Sequence, residues 1–267
     1  MVGGWRGGGI VLKSPREIEL MRAAGAVVYR VLAEMRKLVK PGVVTRELNC
    51  CAEEIIGRAG GTALFKGVVS PQARYPFPAA LCVSVNEEVV HGIPGDRVLR
   101  EGDIVSIDCG VRLNGYCGDA AETLAVGTVS DESQRLIDVT RGALELAVGE
   151  IAPGRNWSEV AGGLQRYVED AGLSVVRDFV GHGIGRDMHE EPKIPNFWDG
   201  RGRNEDFRLQ VGMVLAVEPM VNLGTHLTRA GRDSWTVTTR DRKYSAHFEH
   251  TVAVTACGAD VLTDGRC

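Results

Sequence analysis

The sequence predicts an α+β fold of two duplicated halves, each with a helix pair covering one face of a mostly antiparallel sheet. Segments 102–108 and 212–218 each carry a glycine, a short apolar run and a carboxylate six residues after the glycine. In each half the helical pattern precedes the strand pattern. We expect halves of about 13–127 and 128–267 within one domain. A further set of residues recurs 112 positions later, namely Pro41-Gly42, Glu47 and Ala59-Gly60 as Pro153-Gly154, Glu159 and Ala171-Gly172.

Two helices are predicted at the start of each half. Ser14-Pro15-Arg16-Glu17 has the pattern of a capping box with proline in the first helical position. Apolar or small residues follow in steps of three and four up to position 39, which predicts an amphipathic helix that ends before Pro41-Gly42. Thr45 to Ala59 is predicted as a second helix. Segments 131–150 and 158–171 are predicted as the equivalent pair.

Short runs rich in β-branched residues predict the strands. They occupy 81–85, 104–107 and 121–126 in the first half, and 174–180, 213–218 and 249–254 in the second. Three prolines predict a loop at 70–80, and a polar, glycine-rich composition predicts another at 195–208. The charged part of that second loop, 197–207, is interpreted as a solvent-exposed connection.

Composition excludes several classes of protein. The 267 residues are 44% hydrophobic and 25% charged, which is typical of a soluble globular chain and excludes wholesale disorder. The formal net charge of −4 offers no basic surface for nucleic acid, so no DNA partner is expected. No apolar run is long enough for a membrane helix, and residues 1–12 are interpreted as a flexible, glycine-rich N-terminus without a secretion signal. Seven cysteines without a C-x-x-C pair predict reduced thiols and a cytoplasmic protein.

Four carboxylates fall at equivalent places in the two halves. Asp108 and Glu218 end equivalent apolar runs, and Asp119 and Glu249 border runs that share Thr-x-Ala-Val. Relative to that shared motif, Asp119 and Glu249 differ in register by two residues. A shift of two residues keeps both side chains on the same face of a strand. Four carboxylates in a core repel one another unless a cation neutralises them. The duplicated acids therefore predict a site for two metal ions.

Three histidines lie near glycine or proline in segments predicted as turns, which suits a ligand-binding site. His182 stands between Gly181 and Gly183, and these glycines are expected to let the backbone turn sharply around a ligand. His189 is followed by two glutamates and a proline, and His91 precedes Gly92. His226 and His247 lack such neighbours and are interpreted as surface or packing residues. Mostly oxygen ligands with one imidazole suit Mn, Fe(II), Co or Zn.

These motifs resemble the type I, bacterial-like methionine aminopeptidases from about Lys13 to Thr263. The resemblance implies the pita-bread fold, with two pseudo-symmetric halves. It also extends to Ser234-Trp235-Thr236-Val237, which is similar to the family's Gly-Trp-Thr-Val segment. The other segments that carry the resemblance are 84–94, 103–108, 118–119, 181–192, 217–220 and 248–251.

The resemblance implies a role for each polar site residue. Asp108 would chelate one metal ion, Asp119 and Glu249 would bridge both ions, and His182 and Glu218 would complete the other. Glu218 would also act as the general base. His189 would contact the oxygen of the scissile carbonyl, and His91 would hydrogen-bond the scissile amide. The methionine pocket would be formed by Phe77, Cys82, Met188 and Trp235, with Met188 in a position where an aromatic residue is often found.

The implied activity is removal of the initiator methionine from nascent proteins and peptides when the second residue is small. The implied partners are peptides with N-terminal methionine and nascent chains, with transient ribosome association, for a monomeric cytoplasmic enzyme. Because Val2 follows Met1, the chain's own first methionine is expected to be removable.

Three alternatives to this interpretation differ from it in features that the sequence shows. Prolidases and aminopeptidase P share the Gly-His-Gly-Ile-Gly segment but carry a large extra N-terminal domain, for which the 12 or so residues before the first helix leave no room. A non-enzymatic pita-bread binding module would lack metal ligands, whereas all five positions are filled here. A type II methionine aminopeptidase would carry an insertion between Glu218 and Glu249, which are only 31 residues apart.

Overall fold

The computed structural model describes residues 9–200 and 206–266. The predicted flexible N-terminus and the charged loop 197–207 lie partly outside the described residues, and the Met1-Val2 bond lies wholly outside them. Within the described part, none of the helices has the length and apolar composition needed to cross a membrane.

All four predicted helices are confirmed. Helix α1 begins as a capping box, in which Ser14 Oγ accepts from the Glu17 N–H and the Glu17 carboxylate accepts from the Ser14 N–H at 2.8 Å. The first half therefore starts with a helix whose N-terminal end is capped by reciprocal hydrogen bonds. The helices are α1 (Pro15–Leu38), α2 (Thr45–Arg58), α3 (Asp131–Glu150) and α4 (Trp157–Asp170).

The strands form four sheets in which every described pair is antiparallel. The larger two have the orders β1-β4-β2, with β5 also on β4, and β15-β14-β9-β7-β8; the smaller two are β13-β10-β6 and β11-β12-β3. The strands are β1 (Thr62–Ala63), β2 (Leu81–Val85), β3 (Glu88–Val90), β4 (Ile104–Leu113), β5 (Tyr116–Ala125), β6 (Ser174–Val175), β7 (Gly181–Gly183), β8 (Glu190–Ile194), β9 (Val214–Val217), β10 (Met220–Asn222), β11 (Thr228–Ala230), β12 (Val237–Thr239), β13 (Ser245–His247), β14 (His250–Thr255) and β15 (Gly258–Val261).

Three strand predictions need correction. The runs predicted at 104–107 and 121–126 cover only parts of the ten-residue strands β4 and β5, which pair along their whole lengths. The strand predicted at 174–180 ends at Val175. One last backbone bond joins the Val176 N–H to the Met220 carbonyl, and Arg177, the next residue, forms an exposed ion pair with Glu169 on α4.

The backbone repeats wherever the sequence repeats. Gly42 and Gly154 have φ of 92° and 87°, and Gly102 and Gly212 have φ of 88° and 92°. This left-handed region favours glycine, so the repeated glycines mark equivalent turns. The Gly42 N–H donates to Leu99 and the Gly154 N–H donates to Leu209, both at 2.8 Å. The same turn therefore follows the first helix in each half.

Each half has its own hydrophobic core beneath its helix pair. In the first half, Met35 and Leu48 from the helices share a buried cluster with Ile107 of β4. In the second half, Trp157 of α4 shares a cluster with Leu215 of β9. The helices of each half thus cover one side of the strands. Between the halves, the polar ends of β9 and β14 meet the middle of the β4–β5 hairpin.

Glycines let helix α1 lie directly on the β5 strand. A Cβ on Gly118 of β5 would be 2.8 Å from the backbone nitrogen of Gly25 in α1, and a Cβ on Gly25 would overlap the carbonyl oxygen of Leu262. Real Cβ atoms do not approach backbone atoms this closely, so either substitution forces the helix away from the sheet. The position of β5 is therefore set by bare backbone packing.

We predict opposite effects for alanine at two helical glycines. Gly25→Ala should lower the free energy of unfolding by about 1–3 kcal/mol, because overpacking displaces the core. Gly57→Ala in α2 is the matched control, since its Cβ would meet nothing within 4 Å. That variant should be about 0.4–1 kcal/mol more stable than the unmodified protein. Urea unfolding measures both values, and equal effects at the two positions would contradict the packing argument.

Candidate active site

Asp108 and Asp119 face each other on the β4–β5 hairpin. Asp108 pairs with Ala121, and Asp119 pairs with Gly110, so the two aspartates are diagonal neighbours on one face. Asp108 lies in the middle of β4 and not at its end, contrary to the sequence prediction. A Cβ on Gly110 would lie 3.2 Å from Asp119 Oδ1, so the missing side chain leaves room for the carboxylate.

Thr251 fixes the backbone of Asp119 from the other half of the molecule. The Asp119 N–H donates to Thr251 Oγ1 at 2.9 Å, and that hydroxyl donates to the Asp119 carbonyl at 2.8 Å. Nearby, the Glu249 N–H donates to the Ala121 carbonyl at 2.8 Å. These bonds join the β5 and β14 backbones directly, so ligands from the two halves are held in a fixed relation.

Glu218 and Glu249 lie side by side at the ends of paired strands. Glu218 follows β9 and Glu249 precedes β14, and the next residues of the ladder, Val217 and His250, are partners. Asn196 Nδ2 donates to the Glu218 carbonyl at 3.0 Å and holds its backbone. The sequence prediction that these carboxylates lie at strand ends is therefore confirmed for the second half.

His182 lies on strand β7 and not in the turn that the sequence predicts. Its flanking glycines serve strand packing, since a Cβ on Gly181 would overlap the Ala216 carbonyl oxygen and one on Gly183 would overlap that of Glu191. His182 Nδ1 is 2.9 Å from the Gly183 carbonyl oxygen, which is only an acceptor. Nδ1 therefore carries the proton, and Nε2 keeps a lone pair that can bind a metal.

The carboxylates are strongly coupled to one another. Asp119 and Glu249 are 3% and 2% exposed, and Asp108 and Glu218 are half-buried. Burial raises the pKa of Asp119 to about 7. Burial first, and then the charge of Asp119, raises the pKa of Asp108, Glu218 and Glu249 well above the usual range. Such a group of acids remains ionised near neutral pH only when a cation is bound among them.

The donor atoms fit a divalent metal. Ligand atoms of Asp119, His182 and Glu249 lie within 4.8 Å of one another. Asp108 Oδ1, Asp119 Oδ1 and Glu249 Oε1 are buried without a hydrogen-bond partner, which leaves their lone pairs available. Burial lowers the pKa of His182 to about 3, so its ring is neutral, as a metal ligand must be.

Two more histidines face the carboxylates without belonging to that donor group. The ring of His189 is 4.4 Å from that of His182, measured between centroids. His91 has a positive φ of 59° and packs edge-to-face on Phe179 at 5.6 Å. Burial lowers the pKa of His91 and of His189 to about 4. Both imidazoles are therefore neutral and can each donate one hydrogen bond near the metal ligands.

An apolar pocket opens beside the carboxylates. Phe77 and Trp235 meet edge-to-face with ring centroids 5.2 Å apart, and Trp235 Nε1 donates to the Tyr75 carbonyl at 2.9 Å. Cys82 and Met188 complete the wall that the sequence predicts. Phe65 and Val68 also line it and were not identified from the sequence. They lie in an irregular segment after β1, where no periodic pattern indicates which side chains face inward.

His247 is buried, so of its two interpretations, surface residue or packing residue, the first is wrong. It is 2% exposed, and its Nε2 lies 3.7 Å from Glu218 Oε2. His226 is half-exposed between β10 and β11. In sequence His247 directly precedes the Phe-Glu-His-Thr segment, two positions before Glu249. That proximity is the signal that could have placed it near the site.

One cavity gathers every site residue that the sequence predicts. The cavity brings together candidate metal-binding carboxylates, imidazoles and an apolar wall, which is a set of groups suited to cleavage next to an apolar residue. The residues are His91, Asp108, Asp119, His182, His189, Glu218, Glu249, Phe77, Cys82, Met188 and Trp235.

Comparison with known proteins identifies the family. The sequence model of Metallopeptidase family M24 matches residues 19–256. Methionine aminopeptidase 1 of Bacillus subtilis is 48% identical over 95% of this chain and 99% of its own length. The chain belongs to the methionine aminopeptidases of this family. The methionine aminopeptidase of Clostridium perfringens is also 48% identical, over 95% of this chain and 98% of its own length.

Solved structures confirm the predicted pita-bread fold. The methionine aminopeptidase from Thermotoga maritima has a TM-score of 0.89 and 42% identity, covering 96% of this chain and 99% of that one. The prolidase from Pyrococcus furiosus has a TM-score of 0.73 at 22% identity, and this chain covers 66% of it. That likeness shows the fold alone. The predictions of a metal-using hydrolase and of the methionine aminopeptidase family are confirmed, and the non-enzymatic alternative is wrong.

We predict that metal removal lowers the melting temperature. Stripping the protein with a chelator leaves the buried carboxylates without a counter-charge, and adding back Mn, Co, Fe(II) or Zn supplies one. A metal at 100 times its dissociation constant should add about 2.7 kcal/mol to the free energy of unfolding. Differential scanning calorimetry with and without each metal measures the change. An identical melting temperature in both states would show that these residues do not bind the ions.

Proposed function

We propose that the chain uses two divalent metal ions to remove the initiator methionine from nascent proteins and peptides whose second residue is small. The observation that carries this proposal is the meeting of metal-binding side chains from both halves in one cavity, between two neutral histidines and an apolar pocket. Co, Mn, Fe(II) and Zn all suit this mixture of oxygen and imidazole ligands.

The proposed ligand assignment divides the five side chains between two ions. Asp108 would hold one ion, Asp119 and Glu249 would be shared by both, and His182 and Glu218 would complete the other. The distance between His182 Nε2 and Glu218 Oε1 is 3.6 Å. Two atoms that each lie about 2.0–2.2 Å from one ion are separated by about 3–4 Å, so this spacing supports a shared ion.

The proposed chemistry is hydrolysis of the first peptide bond. When bound, the ions supply Lewis-acid polarisation and bring the pKa of a water molecule close to neutrality. Glu218 accepts the proton of the attacking water. His189 donates a hydrogen bond to the carbonyl oxygen as negative charge develops there. The proton taken up by Glu218 then passes to the amide nitrogen of the scissile bond, which His91 hydrogen-bonds, so that the remaining peptide leaves as an amine.

The apolar pocket selects the methionine side chain. Phe77, Trp235 and Phe65 offer aromatic edges and faces, with which a thioether sulfur makes favourable contacts. The residue after the scissile bond must pass close to His91 and His189. A long side chain there pushes the carbonyl out of line, and a displacement of about 1 Å can reduce the rate around 10²-fold. Small second residues are therefore preferred.

The substrate also defines the cellular setting that we propose. Initiator methionine is exposed on nascent chains, so the enzyme acts in the cytoplasm as a monomer in transient contact with translating ribosomes.

We predict a defined order of peptide substrates for the metal-loaded enzyme. Met-Ala-Ser should be cleaved to free methionine, Met-Glu-Ser should be slower by about 10²-fold for the steric reason given, and Ala-Pro-Ser should stay intact. Glu218→Gln is the control and should lose at least about 10²-fold in kcat, as expected for a missing general base. Chromatography of the products measures all four rates. Cleavage of Ala-Pro-Ser with Met-Ala-Ser intact would favour a proline-specific peptidase.

His91 and His189 should separate catalysis from metal binding. His91→Ala and His189→Ala should each reduce kcat by about 10²-fold or more, because each removes a hydrogen bond made in the transition state. Both variants should still bind two metal equivalents by titration calorimetry. A variant that binds one equivalent fewer would make that histidine a metal ligand.

A further inference from the structure

His247 is a buried imidazole with an unsatisfied nitrogen. The residue ends strand β13 and is 2% exposed, and its Nε2 has no hydrogen-bond partner. Leaving a buried polar atom unpaired is unfavourable, so native structures almost always supply a partner. The acidic neighbour is Glu218, whose Oε2 lies 3.7 Å from this nitrogen.

The two oxygens of Glu218 face different imidazoles. Oε1 lies 3.6 Å from His182 Nε2, and Oε2 lies 3.7 Å from His247 Nε2. Oε1, the oxygen that faces His182, is directed toward the proposed metal ion. Oε2 is then free to accept from His247, once rotation of the carboxylate shortens the separation to about 2.8 Å, a normal N–H···O length.

The backbone holds His247 rigidly at this place. Its N–H donates to Thr123 Oγ1 at 2.8 Å, and the Thr123 hydroxyl donates back to the His247 carbonyl at 2.9 Å. Ser106 Oγ is 2.8 Å from Thr123 Oγ1 and completes the buried chain of hydroxyls. On the other side, His247 pairs with Met220 of β10, two residues after Glu218. The imidazole is thus anchored to β5 of the first half beside a ligand of the second.

We propose that His247 is a positioning residue, whose Nε2–H donates a hydrogen bond to Glu218 Oε2 and keeps Oε1 directed toward the metal shared with His182. This inference rests on the role given to Glu218 in the proposed function. Ligating carboxylates are commonly oriented by such outer hydrogen bonds, and losing one typically reduces metal affinity or activity about 10- to 100-fold. The general base is thereby held at one angle throughout the reaction.

Paired variants test the hydrogen bond. His247→Leu replaces the imidazole donor by an apolar side chain of similar bulk. His247→Gln restores an N–H close to the position of Nε2. Titration calorimetry with Mn should show about 10- to 100-fold weaker binding of one metal equivalent in His247→Leu. The affinity and kcat should largely return in His247→Gln. Unchanged affinity in His247→Leu, or equal loss in both variants, would overturn the proposal.

A measurement on the unmodified protein does not depend on the folding of any variant. In protein labelled with ¹⁵N-histidine and loaded with Zn, the His247 Nε2 resonance should be that of a protonated nitrogen. An Nε2 without a proton, or one bound to the metal, would overturn the proposal.

Glu218→Gln separates this inference from the proposed function. An active Glu218→Gln enzyme would refute the role of Glu218 itself. An inactive Glu218→Gln enzyme together with native metal affinity in His247→Leu would refute only the positioning role of His247.

Discussion

Repulsion among buried carboxylates is the constraint on which the rest of this structure depends. Asp108 and Asp119 from one half meet Glu218 and Glu249 from the other, and burial together with mutual charge keeps their pKa values high. Side chains that repel would move apart if their backbones could yield. They do not yield, because Asp108 and Asp119 lie on paired strands, Glu218 and Glu249 adjoin paired strands, and backbone bonds between Glu249 and Ala121 join the two halves. The fold holds the acids together, and bound cations turn that strain into metal affinity.

Glycine makes this rigidity possible at the points where elements press hardest on the site. Gly118 lets helix α1 touch the strand of Asp119, and Gly181 and Gly183 let neighbouring strands close on both sides of His182. In each case the missing Cβ brings backbone against backbone, where no rotamer change can relieve a shift. Specificity is built differently. The apolar pocket takes Phe77 and Met188 from segments outside the strands, while Asp119 and His182 lie on strands. We propose that the strands and their ends hold the metal, and that mainly connecting segments select the side chain that enters beside it.

Much of this arrangement could be predicted from the sequence, because its signals are local or repeated. The capping box at Ser14 and the apolar spacing placed helix α1 directly, and the duplicated Gly-to-carboxylate blocks placed Asp108 and Glu218 at equivalent sites. Features that depend on pairing between distant strands were less visible. The Gly-His-Gly segment suggested a turn, since nothing near it in sequence shows that Ala216 and Glu191 approach both glycines. The contacts of His247 with Thr123 and Glu218 depend on strand pairing in the same way, although its position two residues before Glu249 was a local signal that it lies near the site.

The fold that this chain shares with the prolidases sharpens the question of where specificity lies. At 22% identity and a TM-score of 0.73, the two kinds of peptidase share a backbone framework and little more. A common framework cannot by itself choose between methionine and a residue before proline. The choice must come from what surrounds the reacting bond, and the groups that we propose for it here are an aromatic pocket and two neutral histidines. Trp235 illustrates the point: it packs on Phe77, and its indole N–H is tied to the Tyr75 backbone, so the pocket wall is fixed before substrate arrives. Such preorganisation means that binding methionine orders little of the protein, and more of the binding free energy is available to align the scissile carbonyl.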